Sequence, residues 1–381
     1  MRARVSVALV VGISFIGASS DAQSDAQNVT STIAFTSTRD NPNTIPGMVG
    51  GEIYLMDRQP DGTFSVPRQL TENCADDIDP ALSTENCYAD FFPALSPDGK
   101  GKIVFDSNRM RAAGEPINTS DLFLMNHDGT DQVFLTRGGS PTWAPPDPNG
   151  KVSKVIAFHA SASGTGRPIN MFPGSATDDS DIFTVNVDDV LENGALPQNL
   201  TANRVETVDD DPNWSPDGYK ILFTSYISDP STTLTSAEIY MMNADGTDQE
   251  QMTSDGIEKR GPAWSPNGMQ ILFACRMGAL NAIGVRTFEI CVMDAIANAP
   301  ATRLTFNAAH DLTPTWSPDG GAIVFHRNNQ LWMKHVDGNC APRVPVPCEV
   351  QLTTPPGLNL VATSWDVIKG GKQKKGGKQK K

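Results

Sequence analysis

One phrase of the sequence recurs along almost the whole chain and decides the fold. Residues 212–223 read PNWSPDGYKILF, in which a Pro-x-Trp-Ser-Pro-Asp-Gly run precedes a short apolar segment. Proline fixes its φ angle, aspartate bonds to the nearby backbone and glycine takes a positive φ at no steric cost, so this run predicts a tight turn. The phrase returns, complete or degenerate, at residues 93–99, 141–145, 262–268, 314–320 and 362–366. Most copies lie about 50 residues apart, a spacing that predicts a repeated four-stranded unit.

Three more strand signals follow the turn in a typical copy. The apolar segment directly after it, such as Ile221-Leu222-Phe223, predicts a second strand. Residues 238–243 and the Asp245-Gly246 pair predict a third strand that ends in a hairpin turn. A fourth strand ends in Leu-Thr or Met-Thr, as at Met252-Thr253. We label these strands A to D, with the repeated tryptophan on strand A.

The two ends of the repeat region carry complementary fragments. The first repeat begins at Ile33 and lacks strand A, whereas the last copy, around Trp365, is only a strand A. Joining the two completes a blade and removes the open edges that promote aggregation. We therefore predict an all-β, six-bladed β-propeller with four antiparallel strands per blade, closed by the C-terminal strand joining the N-terminal three. The tryptophans are predicted to pack between blades.

These repeats resemble the TolB-like (WD40-like) β-propeller family, and the resemblance extends from about Ile33 to Asp366. It implies a propeller over nearly the whole chain. TolB itself has an α/β domain ahead of its propeller. Few residues separate the predicted leader from the first strand here, so we expect that domain to be absent, which argues against the role of TolB itself.

The ends of the chain differ from its body. Residues 1–22 predict a signal peptide, since a short basic start precedes an uncharged apolar run and small residues. Residues 23–368 are assigned to the propeller, and residues 369–381, with seven lysines, to a disordered tail. We expect an exported protein, periplasmic or extracellular, with no membrane span. The tail is predicted either to contact an anionic surface or simply to aid solubility.

Charge and cysteine content narrow the function classes. The net charge is −14 although the tail is basic, and an acidic body argues against nucleic-acid binding. Six cysteines in an exported chain predict disulfides, with sequence-local pairs favoured among the fifteen possible connectivities. The favoured pairs are Cys74 with Cys87, Cys275 with Cys291, and Cys340 with Cys348.

Long, variable connections predict the binding face. The A–B and C–D turns are short, while the B–C and D–A connections vary in length and lie at the opposite end of the ring. Asp90, Asp209 and Asp311 precede strand A at that end. Together they are candidates for binding Ca²⁺ or another divalent cation, which prefers oxygen ligands. The alternative is that each accepts hydrogen bonds from its own loop.

Basic residues and histidines cluster at the same strand ends. Arginines there are candidates for carboxylate recognition, or else for tying the B–C loop to a neighbouring acid. Histidines there are candidate ligands, and the alternative is a capping role. These residues are Arg109, Arg276, Arg327, His159, His310 and His326. Propeller-type lyases of pectate fragments, which resemble TolB repeats, bind a metal there through His and acidic side chains, so the resemblance also admits that chemistry.

The sequence favours a non-catalytic scaffold. No Gly-x-Ser-x-Gly elbow and no phosphate-binding glycine loop is present in the sequence, and we expect no hydrolase domain after the repeats. We predict a monomeric exported propeller that needs no cofactor and binds an envelope or extracellular protein, or a glycan, through its long-loop face. The alternative is a metal-dependent carbohydrate-active enzyme, an oligouronide lyase or a hydrolase, with its site at the channel mouth.

Overall fold

The computed structural model describes the repeat region with several gaps. The described residues are 29–37, 51–72, 89–97, 101–109, 120–147, 149–161, 180–204, 207–228, 235–278, 280, 286–336, 348–353 and 359–369. The predicted signal peptide lies outside them. So do residues 370–381 of the predicted tail, and the final strand ends one residue inside that tail, at Lys369.

The described part of the chain is almost entirely β-structure, with one short helix. In chain order, the elements are β1 (Val29–Ser37), β2 (Glu52–Asp57), β3 (Arg68–Gln69), β4 (Asp90–Leu95), β5 (Lys102–Ser107), β6 (Asp121–Asn126), β7 (Val133–Arg137), β8 (Gly139–Trp143), β9 (Val155–Ser161), β10 (Ser180–Asn186), α1 (Val187–Asn193), β11 (Gln198–Asn199), β12 (Thr207–Trp214), β13 (Lys220–Ser228), β14 (Thr235–Asn243), β15 (Glu250–Gln251), β16 (Lys259–Trp264), β17 (Gln270–Cys275), β18 (Glu289–Asp294), β19 (Thr302–Arg303), β20 (Asp311–Trp316), β21 (Ala322–Arg327), β22 (Gln330–His335), β23 (Glu349–Gln351) and β24 (Asn359–Lys369). The prediction of an all-β chain is confirmed.

The strands form antiparallel sheets in repeat order. Within the described residues, four sheets have four strands each: β24-β1-β2-β3, β4 to β7, β16 to β19, and β20 to β23. The fifth sheet has eight strands, β8 to β15. The described residues therefore form five hydrogen-bonded sheets, whereas six blades of four strands were predicted. The reason is local: β12 begins at Thr207, two residues before Asp209, and this extension lets Val208 form a parallel bridge with Ser180 of β10.

The ring closes as predicted. Strand β24 pairs antiparallel with β1, with Ile33 opposite Trp365, and completes the sheet that β1, β2 and β3 begin. The A strands contact one another in a circle: β4 lies against β8, β8 against β12, β12 against β16, β16 against β20, β20 against β24, and β24 against β4. The fold is therefore a closed β-propeller.

The Ser-Pro-Asp-Gly phrase forms a closed hydrogen-bonded turn between strands A and B. The hydroxyl of Ser215 donates to Asp217 Oδ1 at 2.6 Å and accepts the Lys220 N–H at 2.9 Å. Gly218, with φ 75°, donates its N–H to the Ser215 carbonyl at 2.9 Å. Because both polar side chains of the phrase have partners within the turn, the phrase can recur with little change while its loops vary.

The Leu-Thr ending of strand D locks it onto strand C. Thr201 Oγ1 accepts the Ile182 N–H at 3.0 Å and donates to Asp181 Oδ1 at 3.1 Å. Thr253 repeats this with Ile239 and Glu238, at 3.0 and 2.5 Å. One hydroxyl thus satisfies a buried amide and an acidic side chain at once, as buried polar groups require.

Apolar B strands and tryptophans hold the sheets together. The B-strand phenylalanines, such as Phe105 and Phe223, are fully buried. The indole of Trp143 donates to the Ala94 carbonyl of the preceding sheet at 3.0 Å, and Trp316 donates to Ala263 at 3.3 Å. For these two, the predicted inter-blade packing is confirmed.

A β-bulge interrupts five of the A strands at the same position. The residue before the repeat proline has φ between 48° and 57°, and the pairing with strand B shifts there. Four of the five residues are not glycine, so the left-handed conformation carries a cost of order 1–3 kcal/mol each. They are Phe92, Ser140, Asp211, Gly261 and Thr313. Such a bulge re-aims the side chains beside it, and it lies at the long-loop end of the ring.

One predicted disulfide is present. Cys275 at the end of β17 is bonded to Cys291 of β18, with the Cα atoms 5.9 Å apart. Cys74, Cys87 and Cys340 lie outside the described residues, so the other two pairings stay predictions. Among the described residues, no helix has the length and apolar character needed to cross a bilayer.

Candidate functional site: a charged belt at the ring mouth

Asp90 and Asp311, two of the predicted cation ligands, are fully buried and bonded to arginines. Arg109 Nη2 donates to both carboxylate oxygens of Asp90, at 2.9 and 2.8 Å. Asp311 is held by Arg327, whose Nε and Nη2 donate at 2.6 and 2.8 Å in a two-pronged pair. Arg327 Nη1 also donates to Glu349 at 2.7 Å. For these two arginines the loop-tying alternative is the one the geometry supports.

Asp209 also pairs with an arginine, but this arginine comes from a different part of the chain. Arg204, in the connection before β12, lies with its Nε 3.1 Å from Asp209 Oδ2. Burial raises the pKa of Asp209 to about 6, against the opposing effect of Arg204. All three arginines also stack on rings of their sheet, 4.6 Å from Phe123, 4.1 Å from Tyr240 and 4.9 Å from Trp332. The sequence did not single out Arg204, because its loop position gives no sign of the strand it reaches.

These pairings do not fit a shared metal site. Each aspartate belongs to a different repeat and is already neutralised by an arginine. In the part of the chain that the structure describes, no group of three or more His, Cys, Asp or Glu side chains is arranged to hold a metal ion. We therefore derive no chemistry through a cation at Asp90, Asp209 and Asp311.

His159 links three consecutive repeats. It lies on β9, is 6% exposed, and its Nδ1 pairs with Asp210 of the next repeat. On its other side, a Cβ at Gly139 would lie 3.0 Å from His159 Nε2 and 3.2 Å from Asp106 Oδ2, so these two atoms converge above that glycine. The absence of a side chain at Gly139 is what lets the Asp106 carboxyl group approach the imidazole.

Burial and charge shift the titration of these groups. Burial lowers the pKa of His159, but the nearby carboxylates of Asp210, Asp211 and Asp106 outweigh it, so the pKa is raised. Burial raises the pKa of Asp106 to about 7, and the Ser120 hydroxyl donates to its Oδ2 at 3.1 Å. Burial, with repulsion from Asp210, raises the pKa of Asp211 to about 6.

The fifth repeat supplies the basic half of the mouth. Glu258 accepts from Arg260 Nε at 2.7 Å through one oxygen and lies 2.6 Å from Arg276 Nη2 through the other. Two guanidinium groups thus share one carboxylate. Both lie over Phe288, at 5.1 and 4.6 Å from the ring centroid. The Arg276 side chain is 31% exposed.

His310 lies next to the two arginines of the basic half. Its Nδ1 accepts the Phe288 N–H at 3.2 Å, and the residue is exposed. Burial, together with the charges of Arg276 and Arg260, lowers the pKa of His310. The imidazole is therefore favoured in its neutral form beside the two arginines.

We call the group of Asp106, His159, Asp210, Asp211, Arg260, Glu258 and Arg276 the charged belt. It runs through four consecutive repeats at the ends of B strands and the starts of A strands. Its acidic half belongs to the second to fourth repeats and its basic half to the fifth. A charged ligand that reaches the mouth meets opposite charges side by side on a rigid support.

The sequence predicted part of the belt. His159 and Arg276 are in it, and His310 adjoins it. Asp90 with Arg109 and Asp311 with Arg327 form separate pairs inside their own repeats, whereas Asp209 pairs with Arg204 from the connection that follows the third repeat. His326 is the counterpart of His159 in the sixth repeat, opposite Leu312 on β20. The sequence did not single out Asp106, Glu258 or Arg260. A usable signal existed for Asp106, since a carboxylate directly after the buried Phe105 interrupts an apolar strand.

Comparison with known proteins supports the fold. No family model matches the chain. Among solved structures, the putative TolB of Agrobacterium tumefaciens is similar with a TM-score of 0.50 and 16% identity, over 87% of this chain and 90% of that one. Hydrazine synthase of Kuenenia stuttgartiensis gives 0.60 and 15%, over 89% and 47%. The protein is thus a closed β-propeller, and its fold is TolB-like, as the repeats predicted.

Two curated proteins match parts of the sequence. The uncharacterized peptidase YuxL of Bacillus subtilis is 26% identical over 146 residues, 31% of this chain and 22% of the relative. The uncharacterized protein Atu1656 of Agrobacterium fabrum is 26% identical over 152 residues, 39% of this chain and 47% of the relative. The chain therefore spans less than half the length of either relative.

Proposed function

We propose that this protein is an exported scaffold that binds an envelope or extracellular protein, or a glycan, through the long-loop face of its propeller. The observation that carries the proposal is the charged belt. Its side chains are held in place by buried partners, yet Asp210 and Arg276 remain 24% and 31% exposed. Pre-positioned charges of both signs at one end of a ring favour recognition of a partner with the complementary pattern.

We further propose that the propeller has six blades and that the chain is exported, to the periplasm or the extracellular space. The eight-stranded sheet counts as two blades, β8 to β11 and β12 to β15, because each half is antiparallel and a single parallel bridge joins them. The Cys275–Cys291 disulfide supports export, since disulfides persist in oxidising compartments.

Site-specific cross-linking tests the binding face. A photoreactive residue replaces Arg276 in the full chain, and the matched control replaces Lys151, an exposed cation in the A–B turn of the third repeat. We expect a defined cross-linked partner from position 276 and none from position 151. Binding of that purified partner should weaken with salt and with Arg276→Glu, but not with Lys151→Glu. Cross-links of equal yield from both positions, or only from 151, contradict the proposal.

One observation favours a second candidate, a carbohydrate-active enzyme. Asp106 and Asp211 have pKa values raised to about 7 and about 6 next to His159, and such shifts cluster at catalytic sites. Turnover of oligouronides that is lost in Asp211→Asn and kept in the exposed control Asp294→Asn supports this candidate. No turnover, with or without added Ca²⁺ or Mn²⁺, contradicts it.

A further inference from the structure

A polar groove lies on the rim of the ring, between the third and fourth repeats. Its volume is about 740 Å³, within the usual range for small-molecule sites. Its lining comprises Asn203, Arg204, Thr207, Tyr240, Gly246, Thr247, Asp248 and Gln249. We call it the rim groove. None of its residues belongs to the charged belt.

The second repeat shows why the groove is open in the fourth. There, Phe123 stands in the place of Tyr240, and Phe134 packs edge-on against it at 5.9 Å. Arg109 also lies over the Phe123 ring and donates to Gln132 at 2.5 Å, so the arginine covers this ring as well. In the fourth repeat the position of Phe134 is Gln251, opposite Tyr240. The capping aromatic ring is therefore missing.

Gln249 shares one partner type with its counterpart Gln132, since each donates to the glycine carbonyl three residues before it, at 3.0 Å. Gln249 differs in that its amide nitrogen also lies within bonding distance of Asn203 Oδ1, at 3.0 Å, and of the Leu200 carbonyl, at 3.1 Å, both on the third repeat. Arg204 enters from that repeat too, and its Nη2 donates to Ser225 at 2.8 Å while its guanidinium stacks on Tyr240. These contacts place the Gln249 amide at the wall of the groove, while Arg204 lies over the Tyr240 ring.

The chemistry of the lining selects a neutral, hydroxyl-rich ligand. The lining holds one cation, Arg204, and one carboxylate, Asp248, so its formal net charge is zero. Arg204 is also paired with Asp209 outside the groove, and Asp248 accepts from the Asn243 amide at 2.8 Å, so both charged groups already have partners. The other polar groups are amides and hydroxyls, which donate and accept at once, as vicinal sugar hydroxyls do.

We infer that the rim groove is a binding site for a neutral saccharide, separate from the partner-binding mouth. The test uses saturation-transfer NMR and calorimetry on the full chain with maltose, cellobiose and chitobiose as probes. We expect at least one to bind with a Kd of about 1 mM, which is ordinary for a small polar ligand. Asp248→Ala and Asn203→Ala should each weaken that binding at least about tenfold.

Asp131→Ala is the matched control, because Asp131 is the counterpart of Asp248 in the second repeat, with φ 53° against 50° and the same amide partner type. It should leave binding within about twofold of the wild type. The inference is overturned if no probe binds at about 10 mM, if both groove variants bind normally, or if digalacturonate binds there more tightly than the neutral sugars. Cross-linking at position 276 should be unchanged in Asp248→Ala, so failure of either proposal is seen separately.

Discussion

The Asp106 carboxyl group should make the stability of the ring depend on pH in a particular direction. Its pKa is about 7 in the folded protein against 3.8 for an ordinary aspartate. The folded state therefore holds a proton that the unfolded state has lost between these values. The stability that the protonated carboxyl group contributes is fully present below about pH 4, and it is lost as the pH rises through 7.

The size of the effect follows from the shift. About three pKa units correspond to about 4 kcal/mol, as an upper bound for this fully buried group. Asp106→Asn keeps the shape and removes the titration. The stability of wild type relative to this variant should therefore fall by about 1–4 kcal/mol between pH 4.5 and pH 8.

Urea unfolding monitored by tryptophan fluorescence at pH 4.5, 6 and 8, at constant ionic strength, measures this difference. The exposed Asp294→Asn serves as the control for removal of one carboxylate, and it should follow the wild type at all three pH values. If Asp106→Asn shows the same dependence on pH as the wild type, then the reasoning about this carboxyl group is refuted.

Three further predictions concern single contacts. His159→Gln should lower the free energy of unfolding by about 1–3 kcal/mol at pH 6, because the Asp210 carboxylate loses its cationic partner at a buried imidazole. A loss below that of the half-buried His335→Gln, in the same urea assay, contradicts this. Arg327→Met should cost about 3–5 kcal/mol of unfolding free energy, because buried Asp311 loses its cationic partner. Arg327→Lys should restore only part of this, because one ammonium group cannot make the two-pronged pair; equal stability of Lys and Arg at 327 argues against that geometry. The Cys275→Ser/Cys291→Ser variant should lose about 3 kcal/mol of unfolding free energy. Peptide mapping without reductant should find Cys275 linked to Cys291, and finding both thiols free contradicts the disulfide.

The fold could be predicted from the sequence because its signals are local and repeated. Ser215, Asp217 and Gly218 satisfy one another within a single turn, and Thr201 acts on the strand just before it. Such signals do not depend on neighbouring sheets. Counting the strand fragments at Ile33 and Trp365 was then enough to predict that the two ends of the repeat region pair.

The charged belt depends on contacts that cross from one repeat to the next. Asp106 and His159 converge above Gly139, where a side chain would crowd both, and the bulge at Asp211 gives no separate sequence signal. Arg109, Arg204 and Arg327 reach equivalent aspartates from three different sequence positions. A repeat alignment shows none of this, since what matters is which side chain fills the space between two sheets.

The parallel bridge at Val208 is a similar case. It arises from two extra residues of pairing at the start of β12, so the hydrogen-bonded sheets number five although the repeats number six. The pattern of strands was predictable, but a single backbone contact between neighbouring repeats was not.

Closure of the ring by β24 is the claim on which the fold and both proposed sites depend. Hydrogen exchange of the full chain, followed by mass spectrometry, tests it directly. We predict that the amides of residues 359–369 and 29–37 exchange together and at least about 1,000-fold more slowly than unprotected amides, because they belong to one hydrogen-bonded sheet. Rapid exchange at 359–369 with slow exchange at 29–37 would contradict the closed ring.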